Sequence, residues 1–122
     1  MSRLSYDEGA MGQVVALKKT DITALSLLFQ ALSNEFRLGI LNLLRSRPRN
    51  VSEICQALEL EQTVVSHNLR CLTFCGLVAG ERFGKTKVYS LNKDTVEPIL
   101  RLGDRHISSY AGNLRHCESL ER

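Results

Sequence analysis

VSEICQALELEQTVVSHNLRCLTFC, residues Val51 to Cys75, is the stretch whose reading decides the fold. Val51 to Leu58 has the length and apolar spacing of a short helix, and Gln62 to Cys75 reads as a longer one. Glu59, Leu60 and Glu61 between them are the right gap for the turn of a helix-turn-helix. A rotation of about 100° per residue assigns faces to the second helix. Val65, Leu69 and Leu72 cluster as its core-facing stripe, while Thr63, Ser66, His67 and Arg70 gather on a polar side suited to base edges and phosphates. Cys71 and Cys75 fall on a third flank, beside Val64 and Asn68 and away from both.

Upstream, Thr20 is a candidate N-cap for a helix with apolar residues Ile22, Leu25, Leu28, Phe29 and Leu32. Ser33 is a second candidate cap, for a helix carrying Phe36, Ile40, Leu41 and Leu44 that ends before Arg47 and Pro48. Downstream, Gly76 is a helix stop. Leu77 to Phe83 and Lys87 to Leu91 then read as a two-stranded hairpin, a wing, with the basic tip Gly84, Lys85, Thr86. From Lys93 helical spacing returns at Val96, Ile99, Leu102, Ile107, Tyr110 and Leu114, with Pro98 tolerable only near the first turn. The expected fold is mainly α with a β-hairpin wing, a winged helix-turn-helix over residues 20–117. Residues 1–19 read as a flexible arm and 118–122 as a tail.

A chain of 122 residues allows one compact domain. No apolar run approaches the roughly 18 residues that cross a bilayer, and the amino terminus lacks the order of a signal peptide. The expectation is a cytoplasmic protein without a membrane partner. Four cysteines in a reducing compartment are thiols, metal ligands or redox groups more often than disulfides. The net charge of +3 says little, but its distribution says more. From Gln62 to Lys93 the basic residues Arg70, Arg82, Lys85, Lys87 and Lys93 stand against the single acid Glu81. Such a patch suits phosphate, with a solvated face as the alternative.

A lone helical cysteine is usually core packing, and Cys55, between Ile54 and Leu58, is read that way. The pair Cys71 and Cys75 differs. Residues at i and i+4 have Cβ atoms about 6 Å apart, so two thiolates can close on one soft ion with bonds near 2.3 Å, whereas a disulfide there would be strained. Asp104, His106 and Cys117 bear further ligand types, although His106 alone reads as a surface or dimer-edge histidine and Cys117 alone as an exposed thiol. No base or oxyanion partner accompanies any cysteine and no phosphate-binding loop occurs, which argues against an enzyme.

FQALSNEFRLGIL from Phe29, LEQTVVSHNLR from Leu60, Gly76-Leu-Val and KVYSL from Lys87 together resemble the ArsR/SmtB family of metal-responsive winged-helix repressors. The resemblance covers roughly Asp21 to Leu114. It implies a homodimer joined through first and last helices that holds double-stranded operator DNA until a metal ion releases it. It also implies that Gln62, Thr63, Ser66, His67 and Arg70 enter the major groove, and that Arg82, Lys85 and Lys87 reach phosphates or the minor groove.

Subtypes of the family differ in their ligands. The arsenic-type Cys-Val-Cys element is replaced by Asn50, Val51 and Ser52, and of the zinc-type site on the last helix only His106 matches, where Lys93, Thr95 and Ser109 stand at other ligand positions. SHNLRCLTFCGLV from Ser66 resembles the CmtR-type cadmium and lead sensors, which implies Cys71, Cys75 and a carboxyl-terminal thiolate, Cys117, as ligands. Three thiolates suit Cd(II) or Pb(II) first and As(III) second, while zinc usually asks for a fourth ligand. A redox-sensing repressor and a metal-independent regulator are the competing readings.

Overall fold

The computed structural model describes residues 19–117, and their side chains from Asp21 onward. The arm at 1–19, apart from Lys19, and the tail at 118–122 lie outside the described residues. Helix α1 spans Lys19–Leu32, α2 Glu35–Leu44, α3 Val51–Leu58, α4 Gln62–Phe74 and α5 Lys93–Arg115; strands β1, β2 and β3 span Arg49–Asn50, Val78–Phe83 and Thr86–Leu91. The chain divides into two units, one ending at Gln30 and one beginning at Ala31.

Caps set the helix boundaries, and two differ from expectation. Thr20 lies inside α1, which already includes Lys19. Asn34, not Ser33, caps α2: its Oδ1 accepts the backbone N–H of Arg37 at 3.0 Å. Asn50 caps α3 in a reciprocal box, its Oδ1 accepting from Glu53 N at 2.8 Å while its own N–H donates to Glu53 Oε1 at 2.9 Å. α4 ends as its sequence foretells. With Gly76 at φ +79°, Gly76 N donates to Thr73 O at 3.0 Å and Leu77 N to Leu72 O at 2.9 Å, the paired bonds of a Schellman stop.

The wing is a three-stranded sheet in the order β1-β3-β2. β2 and β3 form the expected hairpin, closed at Phe83↔Thr86 with Gly84 and Lys85 in the loop, so Thr86 belongs to the strand and not to the tip. The third strand, β1, was not foreseen. Arg49 and Asn50 pair with Tyr89 and Val88, and this ties the start of α3 directly to the wing.

In the unit from Ala31, Ile40, Leu41 and Leu44 of α2, Ile54 of α3, Val65, Leu69 and Leu72 of α4, Leu77, Val78 and Leu91 of the sheet and Val96 of α5 are buried. The stripe foreseen on α4 is therefore core. Elsewhere the apolar stripes are less buried than periodicity implies. Ile22, Leu25 and Phe29 of α1, Phe36 of α2, and Leu102, Ile107, Tyr110 and Leu114 of α5 are all exposed. Pro98 lies beyond the first turn of α5, and Tyr110 breaks that helix with φ −125° and ψ 16°. No helix of the described residues is long and apolar enough to cross a membrane.

Candidate nucleic-acid interface and thiol pair

α4 carries both candidate functions on different sides. Thr63, His67 and Arg70 are exposed and Ser66 is half-buried, with Gln62 exposed at the first turn. The wing brings a second set, since Arg82, Lys85 and Lys87 are also exposed. None of Arg70, Arg82, Lys85 and Lys87 enters an ion pair among the described residues, whereas Arg45, Arg47 and Arg101 each meet a carboxylate. Unneutralised cations are free to meet an external anion.

Lys87 is held in place. Its ammonium lies 5.6 Å from the centroid of the Tyr89 ring, and its stem crosses Gly80 so closely that a Cβ there would come within 2.6 Å of Lys87 Cε. A side chain at Gly80 would push the Lys87 stem aside. Because β1 joins the wing to the start of α3, Lys85 and Lys87 share a cleft of about 590 Å³ with Gln62, Ser52 and Cys55. Cys55 is thus half-buried and lines this cleft, and the reading of it as core is corrected. The short helix turns only one apolar residue, Ile54, fully inward, so its neighbour is left at the rim.

On the opposite flank the structure brings Cys71 and Cys75 together. Cys71 is half-buried and Cys75 is exposed, and the two free thiols are neighbours one helical turn apart. Burial first, then the neighbouring Cys71, pushes the Cys75 thiol above its ordinary value near 9, while Arg37 pulls it down. Cys75 is therefore a thiol at neutral pH, and a metal ion must displace its proton. Soft sulfur donors one helical turn apart fit one thiophilic ion. Cys117, half-buried beyond α5, is not brought to them: among the described residues no three or more His, Cys, Asp or Glu side chains form a group able to hold a metal.

Two residues of the second ligand set are engaged elsewhere. Asp104 Oδ2 accepts from Arg45 Nη1 at 2.9 Å, and His106 stacks on Tyr110 with ring centroids 4.5 Å apart. Asn68, expected on the thiol flank, is instead buried, only 4% exposed. Its Oδ1 accepts from Arg37 Nη1 at 3.2 Å and its Nδ2 donates to Val64 O at 2.9 Å. Sequence reasoning missed Arg37 and Asn68. The available signal was rotation about α4, which puts Asn68 about 40° from Leu72, at the edge of the core-facing stripe.

The family model for bacterial regulatory proteins of the arsR family matches residues 34–79. The chain is 45% identical over 71 residues to the transcriptional regulator NmtR of Mycobacterium tuberculosis, a match covering 58% of this chain and 59% of that protein. It thus spans about three fifths of that relative. To the transcriptional activator HlyU of Vibrio cholerae it is 32% identical over 99 residues, 81% of this chain and 91% of HlyU. The reduced form of HlyU superposes with a TM-score of 0.65 over 71% of this chain and 92% of that one, at 31% identity. The homodimeric winged helix-turn-helix DNA-binding domain of Mb0332 from Mycobacterium bovis does so with a TM-score of 0.65 over 84% of this chain and 97% of that one, at 26% identity. NmtR and HlyU are transcription regulators by name and not enzymes. With its helix-turn-helix inside the family model and four fifths of its length aligned with HlyU, this chain belongs to the ArsR family of bacterial transcription regulators and carries that family's winged DNA-binding domain.

Proposed function

We propose that the protein is a cytoplasmic, metal-responsive repressor that binds operator DNA as a homodimer and is released by a soft, thiophilic ion. The observation that carries this reading is the pair of free thiols, Cys71 and Cys75, one helical turn apart at the end of the helix whose other side presents Thr63, Ser66, His67 and Arg70. A ligand on that flank acts on the DNA-reading helix without competing for base edges. Gln62, Thr63, Ser66, His67 and Arg70 enter the major groove, and Arg82, Lys85 and Lys87 hold the backbone or the minor groove.

Exposed apolar residues on α5, namely Leu102, Ile107, Tyr110 and Leu114, and on α1, namely Ile22, Leu25 and Phe29, support a dimer, as does the homodimeric state of the Mb0332 domain. Dimerisation also offers the missing donor: Cys117 completes the site from the partner protomer. Three thiolates favour Cd(II) or Pb(II), with As(III) second. Coupling of about 1 to 3 kcal/mol lowers DNA affinity about 5- to 150-fold, enough to release an operator.

Cadmium titration is expected to raise an ultraviolet thiolate-to-metal charge-transfer band that Cys71→Ser abolishes, together with loss of DNA binding. A band that persists in Cys71→Ser assigns the ion to another site. The contact between the two thiols also favours a redox reading, in which peroxide converts a thiol to sulfenic acid. Release by peroxide with no response to cadmium, lead or arsenite would select it.

A further inference from the structure

We propose that Phe83, at the tip of the wing, is a minor-groove wedge that makes the protein favour easily unstacked base steps, an inference that rests on the DNA-binding reading given above. Phe83 closes the hairpin opposite Thr86, and only Gly84 and Lys85 lie beyond it in the loop. It is 59% exposed. The wing's other large apolar side chains are more covered toward its base: Val88 and Tyr89 are half-buried, and Val78 and Leu91 are buried. A ring that served the hairpin itself would pack on one of these, yet the cross-strand partner of Phe83 is an exposed threonine. A single exposed aromatic is ordinary on a protein surface, and its neighbours are what single this one out.

Alternation along β2 puts Arg82 on one face of the wing, with Gly80, Lys87 and Tyr89, and Phe83 on the other. Arg82 and Lys87 are direct cross-strand partners, a placement in which two cations repel. Lys87 folds back across Gly80 onto the Tyr89 ring, and neither cation enters an ion pair among the described residues. The one acid of the hairpin, Glu81, stands two residues behind Phe83 on the same face. A protein partner that covered the ring would have to desolvate these cations as well. A duplex meets them with phosphate and offers sugars and base edges to the ring. Lys85 and Thr86 of the tip line one cleft with Gln62 at the start of α4, so with α4 in the major groove the tip reaches the minor groove beside it. That groove, about 6 Å wide, admits the end of a ribbon but not its face. At this end Gly84 has no side chain and Lys85 is a cation, which leaves Phe83 as the apolar group. Apolar wedges enter by partly unstacking a base step, and pyrimidine–purine steps such as TA and CA yield most readily while A-tracts resist. Phe83 therefore selects a flexible step at a fixed distance from the bases read by α4, where no hydrogen bond reads sequence.

The test uses the full chain without metal and a pool of randomised duplexes from which wild type and Phe83→Ala each select binders. Wild-type sites are expected to carry TA or CA at a fixed distance outside the bases read by α4, and Phe83→Ala sites keep those bases but lose the step. Changing the step to AA lowers wild-type affinity about 5- to 10-fold, the lower end of what one wrong base pair does, and leaves Phe83→Ala unaffected. 2-Aminopurine in place of the adenine of the step brightens when wild type or Phe83→Leu binds and stays dark with Phe83→Ala. The salt slope is the same for all three proteins, since the ring meets no phosphate. Flanking sequences that do not differ between the two selections, or 2-aminopurine that stays dark with the wild type, overturn the proposal and leave the DNA-binding reading standing. A salt slope reduced in Phe83→Ala overturns it too, by making the ring a support for the basic tip. Should alanine disturb the wing, the wild-type 2-aminopurine signal decides alone. A wild type that selects no duplex defeats the DNA-binding reading first and the wedge with it.

Discussion

Glu59 holds the turn of the helix-turn-helix in left-handed backbone, φ 56° and ψ 48°, and it is the only non-glycine residue among those described to do so. The conformation lets its N–H and that of Leu60 both donate to Cys55 O, closing α3 before α4 begins. An L-residue with a Cβ is strained there by roughly 1 to 2 kcal/mol, of which glycine returns part as greater freedom of the unfolded chain. Glu59→Gly is therefore expected to stabilise the protein by about 0.5 to 1 kcal/mol in urea denaturation. A loss of stability would mean that the Glu59 side chain holds something more than the turn. At this scale the sequence was legible where one helix alone decides a residue's place. Val65, Leu69 and Leu72 follow from rotation about α4, and all three are buried. Asn68 was misplaced because its partner, Arg37, lies 31 residues away on another helix, and no local period reports a hydrogen bond between elements. Cys55 was misplaced because a helix of eight residues that buries only Ile54 cannot hide its neighbours.

At the scale of elements, α5 is latched to the end of α2 by one side chain. Arg45 donates to both carboxylate oxygens of Glu97, at 2.9 and 3.0 Å, and to Asp104 at 2.9 Å, seven residues further along the same face. The hydrogen bonds from Arg45 hold the Glu97 carboxyl below its ordinary value near 4.5, against the opposing effect of burial. A carboxylate with a depressed folded pKa adds stability that is complete above its unfolded value and fades as pH falls through the folded one. Glu97→Gln is thus expected to lower the melting temperature at pH 7, with the gap to wild type closing as pH falls below the ordinary carboxylate value and through the depressed folded one. Salt narrows the gap as well, since the pair is partly exposed. A gap unchanged by acid would remove the ion pair as its cause. Most of this scale was readable: the helices, the glycine stop and the hairpin all lie where apolar period and turn residues put them. β1 was not, because two residues after a proline make no period and owe their strand character to pairing with β3. Nor was the break at Tyr110, since the apolar spacing runs on from Ile107 through Tyr110 to Leu114 across the helix-weakening Ser108, Ser109 and Gly112.

At the scale of the whole molecule, the proposed interface is a matter of how many phosphates are met at once. Arg70, Arg82, Lys85 and Lys87 are exposed and outside the ion pairs that occupy Arg45, Arg47 and Arg101. Each phosphate neutralised releases condensed counterion, so the logarithm of affinity falls with the logarithm of salt by about 0.9 per contact. Neutralising one lysine therefore counts protomers. Lys85→Gln is expected to reduce the salt slope by about 1.8 where two copies sit on one duplex, and by about 0.9 where one does. Lys85 suits this count better than Lys87, whose loss would also vacate the space over Gly80 and the face of Tyr89. Affinity for unrelated duplexes should fall by a similar factor, because a phosphate contact carries no sequence information. Fluorescence anisotropy from 50 to 300 mM salt, roughly the span over which such slopes are measured, supplies the numbers. A decrease near 1.8 joins the exposed apolar stripes of α1 and α5 to a dimer on DNA, and a decrease near 0.9 assigns one copy of the chain to each duplex. An unchanged slope removes the tip of the wing from the interface and leaves the duplex to α4 alone.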